Sequence, residues 1–536
     1  METRGHLFVI DGDLTKIACD AWLLPTDSDF DITTKWHHIF EDAELEPARS
    51  SDGSRRLNPL MVSDDPDKLV VPFRDVNGIQ VFLGKIGDEG EPGIKTACRE
   101  FLELARPGAL ARAAKQKRRP LLALNVIATG KGGMRDRRSV ALRVLISEID
   151  QLLAHEFRDV DVVLVCWGPA AESAAQVIRL SMAGENPASD ERWRFHDDLH
   201  PRLHEVATQL ATLFRSGDIS VFMGAGVSAG AGLMKWDELL VSIGQKTNPE
   251  TTKTELESVS DNRDAAELLA KRLARNGMSL EEELRSGLKG DRFSLQHGLL
   301  ASLPCNEYIT TNVDSLFEIA ARQSESPVLK TMPSREGVRS GDRWLLKLHG
   351  SIDRKDSLVF TRQHYIDSFK ANRALVGLVQ SMLLTRHMLF VGYGLRDEDF
   401  HELVHEVNAA RGSIDDRVSM GTVLSLFDDP TRSDLWTGTV EIVPMRPPQP
   451  TRPSEEEIQS AARDLERFID LLGMLSADNT RFVLDPSYAE DLPEDTRKLT
   501  ELIDPIIKAF TDGQIDPNRP TWRLVRKALR SLGADI

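Results

Sequence analysis

Through residues 1 to about 185, short apolar runs alternate with polar turns. HLFVI (6–10), AWLLP (21–25), KLVVPF (68–73), VFLG (81–84), LLALNVIA (121–128) and VDVVLVCW (160–167) all read as strands. The later ones flank helical patterns such as SVALRVLISEIDQLLAHEF (139–157), and strand–helix–strand alternation predicts an α/β layer fold. MAGENPASDERWRFH (182–196) is polar, carries Gly and Pro, and predicts an interdomain link, bounded at 186–198. A helix is expected from about Leu199 to Phe214, with Leu203, Val206, Ala207, Leu210 and Leu213 at helical spacing.

A second α/β unit then begins. DISVFMGAG (218–226) is a strand running into a glycine turn. A helix-rich stretch spans about 236–290. NEYITTN (306–312), RWLLKLHG (343–350) and RHMLFVGYG (386–394) are strand-to-loop units, closed by SMGTVLSLF (419–427) and TVEIVP (439–444). After the Pro-rich turn MRPPQPTRPS (445–454), Ser454 and Glu457 form a capping-box pair opening a helix to about Leu475. Residues 477–536 are polar with helical patterns near 495–510 and 520–532. The division is therefore 1–185, an α/β domain; 186–198, a linker; 199–476, a second α/β domain; and 477–536, a helical tail.

Composition narrows the function. The chain has 536 residues, with 67 Lys plus Arg against 84 Asp plus Glu, a net charge of −17. That balance argues against a general nucleic-acid binder, so no direct nucleic-acid binding is expected. One basic stretch, RAAKQKRRP (112–120) with Lys131, Arg135, Arg137 and Arg138, reads either as a solvated helix face or as a patch for a phosphate-rich ligand or acidic partner. The four cysteines, Cys19, Cys98, Cys166 and Cys305, stand alone, with neither disulfide density nor the paired spacing of a structural zinc site. No metal site is expected. No apolar run is long enough for a signal peptide or membrane span, and a soluble cytoplasmic protein is the expectation.

The chemistry concentrates at strand ends. GAGVSAGAGLMKW (224–236) follows an apolar strand. Gly224 and Gly226 lack the Cβ that would keep backbone from a pyrophosphate, and Ser228 can hydrogen-bond a phosphate or cap the next helix. Ala229 breaks the G-x-G-x-x-G dinucleotide fingerprint, which makes an ordinary dehydrogenase a poor fit. TTNVD (310–314), KLHGS (347–351) and FVGYGLRDEDF (390–400) end three further strands. In an open parallel sheet all four motifs fall on one edge, where ligands bind. Asn312 also reads as a turn residue and Asp314 as a helix cap; His349 stands at a strand end beside this candidate site.

In this order and spacing, GAGVSAGAGL, TTNVD, LHGSID and VGYGLRDED resemble the sirtuin family, and more narrowly the bacterial sirtuin-like effectors of antiphage defence. The resemblance covers about residues 200–476. It implies a Rossmann-like parallel-sheet domain that takes NAD as substrate and cleaves the nicotinamide–ribose bond. Gly224, Ala225, Gly226 and Ser228 match the phosphate-binding turn, Asn312 and Asp314 the nicotinamide-ribose pocket, His349 the catalytic histidine, and Gly392 and Gly394 the adenosine-side loop. Two positions depart from the family: Met234 stands where Pro is common, and Gly394 where Ser is common, which removes a hydroxyl contact.

The residue types suit that reaction. Loss of nicotinamide leaves positive charge on the ribose, much as in glycoside cleavage. A His, with an unperturbed pKa of about 6.5, can activate water or a ribose hydroxyl near neutrality. Asn312 would orient the water or ribose, and Asp314 would place a partner group. Protein-deacetylating sirtuins carry a four-cysteine zinc module; here a polar helical insert such as AAELLAKRLARNG (265–277) takes its place, which favours hydrolysis of free NAD.

In the first domain, GDLTKIACDAWLLPTD (12–27) and GKGGMRD (130–136) resemble macro domains, which bind ADP-ribose and related nucleotides. Asp13 would then lie near the adenine, although Pro25 and Thr26 replace the Asn pair common there. An α/β domain that only mediates assembly is the alternative. The defence resemblance further implies a homo-oligomer and a HerA-type ATPase or Argonaute-type partner. Two rival functions stay open: an NAD- or ADP-ribose-binding sensor without turnover, and a protein deacylase or ADP-ribosyltransferase.

Overall fold

The computed structural model describes residues 4–536 apart from 28, 42–43, 48–52, 59–64, 66, 87–88, 130–132, 235, 249, 252, 260, 323–327, 335–336, 340, 372, 396–397, 413–418 and 517–518. The first part of the chain runs β1 (Leu7–Asp11), β2 (Ala21–Thr26), β3 (Asp31–Ile32), β4 (Arg55–Arg56), β5 (Val70–Val76), β6 (Ile79–Lys85), α1 (Gly90–Lys115), β7 (Leu121–Asn125), α2 (Arg138–His155), β8 (Asp161–Cys166) and α3 (Pro169–Ala183). Six of these strands form a sheet in the order β1-β8-β7-β2-β6-β5, parallel except for β5. The antiparallel β5–β6 pair is joined through Asn77-Gly78, at φ 51° and 85°, the left-handed pair that a two-residue hairpin turn needs.

The second part runs α4 (His200–Ser216), β9 (Ile219–Met223), α5 (Trp236–Gln245), α6 (Lys253–Glu257), α7 (Asn262–Arg275), α8 (Leu280–Gly287), α9 (Leu295–Ser302), β10 (Glu307–Thr310), α10 (Leu316–Ala320), β11 (Lys330–Met332), β12 (Trp344–Lys347), α11 (Arg362–Ala371), α12 (Arg373–Thr385), β13 (His387–Val391), α13 (Glu398–Arg411), β14 (Gly421–Phe427), α14 (Pro430–Trp436), β15 (Glu441–Arg446) and α15 (Glu455–Ser476). Its sheet is parallel throughout, in the order β11-β12-β10-β9-β13-β14-β15. From β9 the chain builds outward to β10 on one side and later to β13 on the other. The strand order reverses at β9, which makes its carboxyl end the topological switch point. The fold is α/β, with a helical C-terminal region of α16 (Glu494–Thr511) and α17 (Pro520–Ser531).

Strand alternation explains how the sheets stack. In β1, Leu7 and Val9 join a core with Phe101, Leu142 and Ile149 of α1 and α2. Phe8 and Ile10 point the other way, into a core shared with Leu210 of α4, Leu299 of α9 and Phe468 of α15. The second sheet sends Val221, Met223, Tyr308 and Leu389 into that same core. Its far face, with Phe222, Ile309 and Phe390, packs on Val379 of α12 and Val404 of α13. Helices α4, α9 and α15 thus form one layer that serves both sheets.

Polar contacts pin this layer. Asp470 of α15 accepts from Arg179 at 2.6 and 2.9 Å and lies 2.7 Å from Nε2 of His6. Burial pushes the His6 imidazole down to about 3, so the ring is neutral. Burial opposes ionisation of Asp470, but Arg179 and His6 outweigh it and hold the carboxyl below its ordinary range. Arg463 pairs with Asp161 at 2.6 and 2.8 Å. A backbone bridge joins the two parts directly, with Ala18 N–H to Phe293 O at 2.8 Å and Phe293 N–H to Lys16 O at 2.7 Å.

Several expectations need correction. The polar stretch read as a link forms two short 3-10 turns, Pro187–Ser189 and Glu191–Trp193, and buries Trp193 and Phe195 in the shared core. Its polarity concealed two anchoring aromatics. The basic run is divided: Lys115 and Lys117 are exposed, whereas its three arginines are half-buried and paired within the fold. Arg118 grips buried Asp20 with two bonds of 2.8 Å, Arg112 donates to the Asp20 carbonyl, and Arg119 lies 3.3 Å from Asp161. The glycine turn itself winds as a 3-10 helix, Ala225–Ala231, and the expected helix-rich stretch opens with α5 at Trp236. The capping box at Ser454 and Glu457 forms as expected. Among the described residues no helix is long and apolar enough to cross a membrane.

Candidate functional site

The switch point is built from backbone first. Gly224 N–H donates to Val391 O and Gly226 N–H to Gly392 O, both at 3.0 Å. A Cβ on Gly224 would lie 2.5 Å from Gly392 O, and one on Gly226 would lie 2.8 Å from Gly392 Cα. Gly392 itself sits at φ 64°. The glycines read as clearance for a pyrophosphate are used by the chain to press the turn after β9 onto the loop after β13. Ala225, Gly226 and Gly394 are exposed at this edge. Lys235 of the first motif and Arg396 and Asp397 of the last lie outside the described residues.

The side chains then interlock. Asn312 Nδ2 donates to Gly224 O at 3.0 Å and to Ser228 Oγ at 3.1 Å. Ser228 Oγ donates to Asp314 Oδ2 at 2.9 Å, and Asp314 Oδ1 accepts the N–H of Leu316 at 3.1 Å. Asp314 therefore serves both the site and the start of α10. The Ser228 hydroxyl, expected on a phosphate or a helix cap, is committed to Asp314. Thr310 supports the loop from below, donating to Met223 O at 3.0 Å while its oxygen accepts Asn312 N–H at 2.9 Å.

His349 follows β12, one strand beyond. Its loop is tied to TTNVD by Leu348 N–H to Thr310 O at 3.0 Å and Ile352 N–H to Val313 O at 2.9 Å. The half-buried His349 ring meets Tyr365 edge-on, with centroids 5.2 Å apart.

Two groups were not singled out as site residues from the sequence. Lys347, 2% exposed, donates to Glu318 Oε1 at 2.8 Å and to the carbonyls of Val313 and Asp314. Burial pushes the Glu318 carboxyl up, against the pull of Lys347. His297 of α9 is 1% exposed, and its Nε2 lies 3.4 Å from Ser228 Oγ. A lysine ending an apolar strand was the available signal for the first; a lone histidine in an apolar helix gives none. Among the described residues no cluster of three or more His, Cys, Asp or Glu could hold a metal.

A concavity of about 1640 Å³ opens at the carboxyl ends of the first sheet's strands. Asp11, Asn125, Trp167, Arg135 and Arg138 line it, with Arg481 and Tyr488 from the C-terminal region. Asn125 Nδ2 donates to Val165 O at 2.7 Å, and its buried Oδ1 has no partner among the described residues. Lys35 Nζ lies 3.9 Å over the Trp167 ring. Asp13 accepts from Thr15 N–H and Oγ1 at 2.9 and 2.8 Å, capping a short turn. Gly130, Lys131 and Gly132 of the glycine-rich loop lie outside the described residues.

Comparison with known proteins matches residues 306–437 to the SIR2-like domain family. An NAD(+) hydrolase ThsA from Cytobacillus dafuensis is 27% identical over 209 residues, covering 36% of this chain and 38% of that protein. The one from Enterococcus faecium is 30% identical over 201 residues, covering 36% and 40%. The matched stretch thus spans about two fifths of those relatives. Among solved structures, an Oceanobacillus iheyensis macrodomain with ADP aligns at TM-score 0.24 and 14% identity, covering 34% of this chain and 93% of that one. The chain carries a SIR2-like domain, and over about a third of its length it is similar to NAD(+) hydrolases.

Proposed function

We propose that this protein hydrolyses free NAD+ at the nicotinamide–ribose bond, giving nicotinamide and ADP-ribose, as an NAD-depleting effector in antiphage defence. The observation that carries the reading is the Ser228–Asn312–Asp314 network at the switch point of a SIR2-like sheet, with His349 on the adjoining loop. Both amide hydrogens of Asn312 are spent inward, on Gly224 O and Ser228 Oγ. That leaves Oδ1 to meet a water or a ribose hydroxyl. Asp314, fixed by two donors, offers negative charge near the carbon where positive charge develops. His349 takes the proton from the attacking group. The exposed strand-end glycines leave the NAD phosphates an approach along Ala225, Gly226 and Gly394. Cytoplasmic placement, homo-oligomerisation and a defence partner belong to the same proposal.

A second reading has its own observation. Asn125 Oδ1, without a partner among the described residues, faces the first-sheet cleft and suits a ligand with N–H or O–H donors, which supports a nucleotide-binding role for that domain over assembly alone.

The test is chromatography of NAD+ and products for wild type and His349→Ala, with calorimetric NAD+ binding alongside. Nicotinamide plus ADP-ribose from wild type, lost in the variant with binding kept, is the expected result. Binding without turnover would favour a sensor. Consumption only with a protein acceptor would favour a transferase or deacylase. Absence of both binding and turnover would overturn the reading.

A further inference from the structure

Helix α9 is buried along its whole length, and His297 stands in its first turn. Ser294 N–H donates to His297 Nδ1 at 3.3 Å as half of a capping box. Ser294 Oγ lies 2.8 Å from Nδ1 and 2.9 Å from Val227 O, and with its proton on the nearer nitrogen it is a second donor to Nδ1. Nδ1 is therefore an acceptor. Burial pushes this imidazole down to about 4, against the pull of Asp314, so the ring is neutral near pH 7. A neutral imidazole has one N–H, and here it is on Nε2, facing Ser228 Oγ at 3.4 Å. Ser228 gives its single proton to Asp314 and accepts from Asn312. The histidine fills the remaining acceptor position of that oxygen.

We propose that His297 is a positioning residue of this site: its Nε2–H donates to Ser228 Oγ and fixes the hydroxyl so that Asp314 and Asn312 keep one orientation. This rests on the NAD+ reading above. Without the donor, the Ser228 oxygen can rotate its lone pairs and proton among three neighbours, and the loop holding Asn312 and Asp314 loses its reference point. Capping of α9 is a separate duty of the same ring, carried by Nδ1, so substitutions can divide the two.

His297→Asn keeps an acceptor where Nδ1 stood and withdraws the donor from Ser228. His297→Gln extends an amide N–H toward Ser228. His297→Asn is expected to unfold close to wild type while kcat for nicotinamide release falls about 10-fold, the scale of one hydrogen bond, with KM little changed. His297→Gln should recover most of that rate. Wild-type kcat in His297→Asn, or a loss that follows unfolding and is not recovered by Gln, overturns the proposal.

A substrate-free readout separates this from the parent reading. In 15N-histidine NMR of the full chain, the signal missing from His297→Asn should report an Nε2–H tautomer and shift in Ser228→Ala. An Nδ1–H tautomer, or no shift, overturns the positioning role. A wild type that leaves NAD+ intact removes the hydrolase reading, and the NMR result still decides whether His297 orients Ser228.

Discussion

The contact between the turn after β9 and the loop after β13 leaves no room for a methyl group. In Gly226→Ala the new Cβ would start 2.8 Å from Gly392 Cα and 3.0 Å from Gly392 O. Carbon atoms rest at about 3.5–4.0 Å, so the two loops must part by most of an ångström. Both neighbours are backbone and cannot rotate away. Overpacking of this kind costs about 1–3 kcal/mol. Parting also breaks Gly226 N–H to Gly392 O and shifts the Gly224 carbonyl that holds Asn312. Gly392→Ala adds a left-handed φ of 64° and a contact of 2.6 Å to Val227 N. Gly377, exposed in α12 with nothing within 4 Å of a new Cβ, supplies a control of opposite sign. Alanine there should gain about 0.5–1 kcal/mol from helix propensity. Thermal unfolding and nicotinamide release should show Gly226→Ala and Gly392→Ala less stable and at least about 10-fold slower, one broken positioning contact being worth roughly that factor. Gly377→Ala should be more stable and equally active. Gly226→Ala matching wild type in both assays would refute the close-approach argument.

Three further expectations follow from buried charges. Asp470→Ala strands Arg179 in the shared layer and should cost about 3–5 kcal/mol, read as a lower urea midpoint; an unchanged midpoint would count against the network. His6 and His297 are held at about 3 and about 4 in the fold, below the unfolded value of about 6.5. Above that value both rings are neutral in both states; below it the unfolded chain binds protons that the fold refuses. Stability should therefore fall from pH 6.5 toward 4, by up to about 1.4 kcal/mol per pH unit for each ring, and urea midpoints flat between pH 7 and 5 would contradict this. Lys347→Met releases the Val313 and Asp314 carbonyls and leaves Glu318 without its cation. It should lower both stability and turnover, and Glu318→Leu added to it should restore stability alone; joint recovery would deny Lys347 a role in shaping the loop.

The second sheet was readable because buried parallel strands appear as unbroken apolar runs, and four of them stop at a chemical motif. Ser228, Asn312 and Asp314 were recognisable for the same reason, and the structure joins them by hydrogen bonds. Strand β11, three half-buried residues reading KTM, gave no such run. Periodicity shows that α15 has an apolar side but not that two sheets share it. Nor could it reveal Trp193 and Phe195 as anchors inside a polar stretch. His297 was invisible because its partner lies 69 positions away and no spacing rule links them. The glycines were noticed, but their nearest neighbour, Gly392, is a long-range contact that only the folded chain supplies.

Helix α9 stands between the strand-end clusters of the two sheets. Near one end, Ser294 and His297 touch Val227 and Ser228. At the other, Ser302 Oγ accepts Asp11 N–H at 2.8 Å on the wall of the first-sheet cleft. Eight helical residues span only about 12 Å. With every one of them buried, the helix has no slack to bend and no solvent to move into. One unbending element therefore holds Ser302 at the cleft wall and His297 beside Ser228, so the strand-end clusters of both sheets rest on the same eight residues.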